Sequence, residues 1–264
     1  MAAIAKKAPS SAPMHPALAT LDRARLPRHL AIIMDGNGRW ALARGQRRVA
    51  GHREGAESVR VIVRACRALG IQALTLYAFS EENWGRPGAE VKALMSLLGR
   101  FLKSQRKEML DNGIALNAIG EIERLPEPTR GQLKQVMTDT ARGRNMTLTL
   151  ALSYGSRQEI VRAARQLAAE AAAGRIKPDQ IDEAALAARL FTAGLPEPDL
   201  LVRTSGELRV SNFLLWQIAY AEFHFTETLW PDFREEALAR ALTSYAARQR
   251  RFGKTGEQVE AGGA

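Results

Sequence analysis

Short apolar runs of strand length alternate with amphipathic stretches of helix length along nearly the whole chain. That alternation restricts the fold more than any other feature. Residues 29–34 form an apolar run that stops at Asp35-Gly36-Asn37-Gly38, a strand running into a turn. Val59, Ile62, Val63, Cys66 and Leu69 recur at helical spacing, and Gly70 ends that helix. Residues 73–79 read as a second strand. Residues 90–110 read as a long helix with Val91, Leu94, Leu97, Leu98, Phe101 and Leu102 on one side. Strands follow at 114–119, 146–152, 200–202 and 219–225, with helices at 127–141, 157–173, 182–190 and 235–251 between and after them. Asp182 reads as an N-cap. Strands separated by helices of this length predict an α/β domain with a central, mostly parallel sheet flanked by helices.

No internal repeat or linker divides the body, so residues 29–253 are expected to form a single domain. Residues 1–28, rich in Ala, Pro and basic side chains, read as a flexible leader, and 254–264 as a flexible tail. The apolar run at 213–223 is interrupted by Gln217 and is too short to cross a bilayer. The start of the chain has no continuous apolar core and does not read as a secretory signal. Cys66 is the lone cysteine, which excludes an intramolecular disulfide and a cysteine-based zinc cluster. A cytoplasmic protein is the expectation.

The chain of 264 residues carries 38 Lys and Arg against 28 Asp and Glu, a formal charge of +10. Such an excess suits nucleic acid, an anionic membrane or phosphorylated metabolites. Aromatics are only 6% and do not interleave with the basic tail, which argues against nucleic acid.

Ligands of open α/β sheets bind at the carboxyl ends of the strands. Polar residues at those ends are therefore the candidate site. The first end reads Asp35-Gly36-Asn37-Gly38-Arg39-Trp40-Ala41. Its glycines let backbone N–H groups approach an anion, and Arg39 can grip a phosphate. The stretch also fits Gly-x-Gly-x-x-Ala, a degenerate dinucleotide fingerprint. Asp35 favours the other option, because a carboxylate beside a pyrophosphate needs a cation between them, and Mg²⁺ binds carboxylate together with phosphate oxygens. Arg47, Arg48, His52 and Arg53 offer a second wall, or a solvated basic turn. The loop after the second strand, Ser80-Glu81-Glu82-Asn83-Trp84-Gly85-Arg86-Pro87, is dense in hydroxyl, amide, indole and guanidinium groups. Later, Arg203, Arg209, Val210 and Ser211 share one polar stretch whose arginines and serine suit a phosphate. Glu222 lies in an apolar setting that calls for a metal or an arginine partner.

Together these segments resemble the bacterial undecaprenyl diphosphate synthases, a family of cis-prenyltransferases. The resemblance runs from about His29 to Gly253. It is carried by His29-Leu-Ala-Ile-Ile-Met-Asp35-Gly-Asn-Gly-Arg-Trp40, Gly51-His52-Arg53-x-Gly55 and Leu74-Thr-Leu-Tyr-Ala-Phe79-Ser80-x-Glu82-Asn83-Trp84-x-Arg86-Pro87. Arg203-Thr-Ser-Gly206-Glu-x-Arg209-x-Ser211-Asn-Phe-Leu-Leu-Trp216-Gln and Leu229-Trp-Pro-Asp-Phe233 complete it, in the family's order.

The resemblance implies the cis-prenyltransferase fold with a hydrophobic tunnel. It implies Mg²⁺-dependent, repeated addition of isopentenyl diphosphate to farnesyl diphosphate, giving undecaprenyl diphosphate, a lipid carrier for cell-wall polysaccharide. Asp35 and Asn83 would be catalytic, and Asp35 with Glu222 would hold the metal. Gly36, Asn37, Gly38, Arg39, Arg48 and His52 would hold the allylic diphosphate, with Trp40 in the same motif. Ser80, Glu81, Glu82, Trp84 and Arg86 would stand beside Asn83. Arg203, Arg209 and Ser211, with Val210 between the last two, would hold the diphosphate of isopentenyl diphosphate. Family members pair as homodimers, and Arg251-Phe252-Gly253 resembles a terminal motif that reaches the partner's site. Peripheral membrane contact for product release is a further expectation. Two departures stand out: Leu208 replaces a histidine found in some members, and Ser156 stands where many have glycine. No Asp-Asp-x-x-Asp pattern of trans-prenyltransferases occurs. Rival readings are a cis-prenyltransferase of different product length or an inactive partner subunit, within the family, a nucleotide-dependent oxidoreductase, from the glycine turn, and a nucleic-acid or membrane-surface protein, from the charge.

Overall fold

The computed structural model describes residues 14–249. The strands are β1 (His29–Ile33), β2 (Ala73–Ser80), β3 (Ile114–Ile119), β4 (Met146–Tyr154), β5 (Leu200–Arg203) and β6 (Glu222–Phe225). The helices are α1 (Pro16–Ala19), α2 (Asn37–Leu42), α3 (Arg48–Leu69), α4 (Gly88–Asn112), α5 (Glu127–Thr140), α6 (Ser156–Ala172), α7 (Glu183–Ala187) and α8 (Glu235–Ala246). One six-stranded sheet has the order β3-β4-β2-β1-β5-β6. Every neighbouring pair is parallel.

Both faces of the sheet are covered, which is why β1 and β5 are buried at every position and read as plain apolar runs rather than alternating ones. Leu30, Ile32, Leu74, Leu76, Leu148, Leu200 and Val202 point to one face and pack with Ile62, Leu102, Leu133 and Leu238 from α3, α4, α5 and α8. Ala31, Ile33, Ala151 and Leu201 point to the other, where Phe213, Leu214 and Ile218 from the segment between β5 and β6 close a smaller cluster.

The expected leader does not stay loose up to residue 28. Leu18 on α1 is only 2% exposed and joins the main core, beside α8. Asp22 caps a 3₁₀ turn by accepting from the Ala24 N–H at 3.0 Å. Met14, Ala17, Leu21 and Leu26 pack against the same core, and the Ala/Pro/basic composition hides these scattered apolar anchors. The tail at 254–264 and the Arg251-Phe252-Gly253 motif lie outside the described residues.

Other boundaries shift for physical reasons. The glycine turn after β1 contains the short helix α2, and α3 begins at Arg48 although its first turn looks like a solvated basic stretch. β6 is confined to Glu222–Phe225. Helices α2 and α3 meet backbone to backbone, because a Cβ on Gly51 would fall 1.9 Å from the Asn37 carbonyl oxygen. Alanine in a helix interior normally gains about 1 kcal/mol over glycine. Here the overlap dominates, so Gly51→Ala is expected to destabilise the protein by about 3 kcal/mol. Urea titration measures this, and an unchanged midpoint would mean that the contact is not tight.

Candidate active site

The sheet order sets β2, β1 and β5 side by side, with Ile33 facing both Tyr77 and Arg203. The loops that leave these strands therefore converge. Asp35 is at their centre. Its carboxylate accepts from Arg203 Nη2 at 2.8 Å and from the Gly36 N–H at 2.7 Å, with Arg39 Nη2 3.5 Å away. Burial works to raise its pKa, but the Arg203 and Gly36 hydrogen bonds and the charges of Arg203 and Arg39 outweigh it and hold the carboxyl below its ordinary value. Thr204 fixes the backbone here. Its hydroxyl accepts from the Asp35 N–H at 2.9 Å and donates to the Asp35 carbonyl at 2.6 Å.

Gly36 has a φ of +105°, and a Cβ there would come within 2.9 Å of Leu229. Glycine thus permits the sharp exit from β1 that aims the first turn of α2, Asn37-Gly38-Arg39, into the cleft. Arg39 donates to the Ser205 carbonyl at 3.0 Å and to Ser205 Oγ at 2.5 Å. Arg203 is itself buried. It donates to the Arg209 carbonyl at 2.5 Å and to Ser211 Oγ at 2.8 Å, while its Nε has no partner among the described residues. The Arg209 guanidinium is exposed and pairs with Glu207, which also lies 3.4 Å from Arg39.

Arg48, His52 and Arg86 line a cavity together with Asp35, Asn37, Gly38 and Arg39, whereas Arg203, Arg209 and Ser211 stand outside its lining and meet it through the Arg203–Asp35 contact. Burial lowers the His52 pKa to about 4, assisted by the positive charges of Arg86 and Arg48 and opposed by Glu90. The imidazole is therefore neutral at physiological pH. In the unfolded chain it takes a proton near its ordinary value of 6.5, so this residue's contribution to stability is present above that pH and is lost as pH falls toward 4. His52→Gln should flatten the acid side of the stability–pH curve in that window. An unchanged curve in chemical denaturation between about pH 4.5 and about pH 7 would remove this origin.

Asn83 Oδ1 accepts from the Ser80 N–H at 3.1 Å, closing a capping box on the 3₁₀ turn Glu81–Gly85. Asn83 and Arg86 line the cavity. Several expected neighbours do not. Glu81 pairs with Arg124, and the Trp84 indole donates to Ser153 Oγ at 2.8 Å. Trp40 donates to Asp232 at 2.7 Å. Glu82 turns toward Asn212 at 3.1 Å, and Val210 packs against the smaller core cluster. Sequence reasoning misses Thr204, Ser205 and Glu207. Only their place directly after a strand end could signal them.

The cavity holds about 310 Å³. Asp35, Asn37, Arg39, Arg48, His52 and Arg86 surround its mouth, whereas Leu76, Phe79, Leu94, Leu98, Phe101, Leu150 and Leu152 line its depth. The expected apolar hollow against the 90–110 helix is therefore present, with α4 as one wall.

Glu222 is not at this site within the chain. It opens β6 opposite Leu200, whereas Arg203 pairs with Phe225, so it sits back along the sheet by on the order of 10 Å. Its carboxylate accepts from Arg248 at 2.7 Å instead. The expected pairing of Asp35 and Glu222 on one metal is thus corrected for a single chain: a parallel strand carries its first residue to the far end of the sheet. Leu208 is 77% exposed. Among the described residues no three His, Cys, Asp or Glu side chains converge as a metal cage. Asp35 alone, ionised and partly exposed, suits a Mg²⁺ that takes its remaining oxygens from phosphate and water.

Comparison with known proteins gives a consistent result. Residues 33–253 match the Prenyltransf family, described as "Putative undecaprenyl diphosphate synthase". The chain is 54% identical over 235 residues to an isoprenyl transferase of Geobacter sulfurreducens, covering 89% of this chain and 96% of that one. It is 50% identical over 250 residues to the ditrans,polycis-undecaprenyl-diphosphate synthase ((2E,6E)-farnesyl-diphosphate specific) of Xanthomonas axonopodis pv. citri, covering 95% and 96%. Among solved structures it is similar to lavandulyl diphosphate synthase from Lavandula x intermedia in complex with dimethylallyl diphosphate, with a TM-score of 0.84, 42% identity and coverage of 88% and 100%.

Proposed function

The chain belongs to the undecaprenyl diphosphate synthase family of prenyltransferases, and on that premise we propose that it condenses isopentenyl diphosphate repeatedly with farnesyl diphosphate to build undecaprenyl diphosphate. The observation that carries this reading is a cavity that joins a cationic mouth to an apolar depth. Breaking an allylic C–O bond leaves negative charge on the departing diphosphate and positive charge on carbon. Fixed cations at the mouth stabilise the first. An apolar lining keeps water from the second. Each methylene drawn into the depth is favoured by about 0.8 kcal/mol, so the growing chain is retained between additions.

In this reading the N–H groups of Asn37 and Gly38, with Arg39, Arg48 and neutral His52, bind the allylic diphosphate. Arg203, Arg209 and Ser211 bind that of isopentenyl diphosphate. Glu207 pairs with both Arg39 and Arg209 in the described state, and incoming diphosphates would take over those guanidinium groups. Asp35 would hold Mg²⁺, which when bound neutralises charge on the diphosphate. Asn83, fixed by its bond to the Ser80 backbone, presents its amide to the reacting groups.

A homodimer is part of the same proposal. Phe223 on the edge strand β6 and Tyr220 just before it expose apolar surface, as an interface would require. Among the described residues no helix is long and apolar enough to cross a membrane. We place the enzyme in the cytoplasm, touching the membrane only to release product. Incubation with both diphosphates and Mg²⁺, followed by chain-length analysis, tests the reaction. Undecaprenyl diphosphate is the expected product. A different poly-cis length would correct the product, and no chain longer than farnesyl would overturn the function.

A further inference from the structure

Asn212 occupies a junction that the reaction does not explain. Its backbone carbonyl accepts from the Ser156 N–H at 2.8 Å and its Oδ1 accepts from the Arg157 N–H at 2.8 Å. These are the first N–H groups of α6, whose own N-cap Gly155 supplies no side-chain cap. Asn212 therefore caps the helix from a distant part of the chain. Its Nδ2 faces the other way and donates to Glu82 Oε1 and Gln158 Oε1, each at 3.1 Å. Only an amide fits, because one end must accept and the other donate.

The segment around it is held in an unfavourable backbone conformation. Ser211, Asn212 and Leu214 have φ values of 47°, 61° and 49°, and Ser156 Oγ accepts from the Leu215 N–H at 2.9 Å. Such conformations persist when their surroundings fix them. The immediate neighbour, Ser211, meets Arg203 through its Oγ.

We propose that Asn212 is a positioning residue for the isopentenyl diphosphate subsite, bracing the Arg209–Ser211 loop against α6 and against Glu82 of the loop that follows β2. This rests on the functional reading above. The bridge also couples the two substrate loops mechanically, since Glu82 belongs to the turn that fixes Asn83.

The discriminating variant is Asn212→Asp. It keeps the acceptor for Arg157 but sets a carboxylate against Glu82 and Gln158 Oε1. Losing the donor beside a charged acceptor predicts about a tenfold rise in KM for isopentenyl diphosphate. The KM for farnesyl diphosphate and the melting temperature stay near wild type. Glu82→Gln combined with Asn212→Asp exchanges donor and acceptor, and this pair should recover most of the lost affinity. Calorimetric titration with isopentenyl diphosphate reads the same ratio without turnover.

An unchanged KM in Asn212→Asp would overturn the proposal, as would a defect that the exchange does not relieve. Equal loss of both substrates with a lower melting temperature would reduce Asn212 to a structural cap and also overturn it. A wild-type chain that elongates nothing is a different result, and it defeats the functional reading itself.

Discussion

Asp35→Ala is expected to lower kcat by about a thousandfold or more while leaving the protein folded. The carboxylate stands at the centre of the mouth, and its bonds to Arg203 and Gly36 keep it ionised. Its lowered pKa means that it stabilises the fold above the ordinary carboxyl value of 3.8, and that this contribution is lost as pH falls through the folded pKa. No acid limb of the rate near neutral pH should therefore originate here. The side chain is 33% exposed, so its loss should destabilise the protein by only about 1 kcal/mol. The isosteric change Asp35→Asn preserves shape without charge and should be nearly as damaging to turnover. Near-normal elongation by either variant in Mg²⁺ would refute the metal-holding role, and circular dichroism separates loss of chemistry from loss of fold.

Arg203→Ala should raise KM for isopentenyl diphosphate about a hundredfold, because it deletes a buried cation from a hydrogen-bonded network. The side chain is only 4% exposed and bridges Asp35, the Arg209 carbonyl and Ser211 Oγ. A destabilisation of about 3 kcal/mol should accompany the kinetic loss. Arg203→Lys should not rescue, since one ammonium cannot reproduce a planar fork reaching several acceptors. Steady-state kinetics with each substrate varied in turn measures the split. A rise confined to farnesyl diphosphate would mean that the two subsites are assigned the wrong way round. Because Asp35 and Arg203 touch, their effects should not add.

Much of this arrangement is legible in the sequence. Two-sided burial turns strands into apolar runs, so β1 to β5 stand out, and β3 is read at its observed limits, Ile114–Ile119. The strand-end rule leads directly to Asp35, Asn83 and Arg203. Side-chain direction is not legible. Trp84 and Glu81 share a loop with Asn83, but the 3₁₀ turn aims them at Ser153 and Arg124 rather than into the cavity. Register is equally hidden. The apolar neighbours of Glu222 call for a metal or an arginine, the resemblance implies the metal, and its place at the start of β6 gives it to Arg248. Leu18 escapes notice because it and the few apolar side chains beside it are scattered among Ala, Pro and basic residues without a helical run long enough to read.

The central position of β1 has a kinetic meaning. One flank, β2, follows it closely in the chain, but the other, β5, arrives only after most of the protein has been synthesised, and the Asp35–Arg203 bond joins residues 168 positions apart. Closing so long a loop is entropically slow and is rewarded late. A nascent chain ending before β5 can own a substantial hydrophobic core yet has no Arg203 to pair with Asp35. The Asp35–Arg203 contact is thus made only when the last two of the six strands dock, late in the assembly of the sheet.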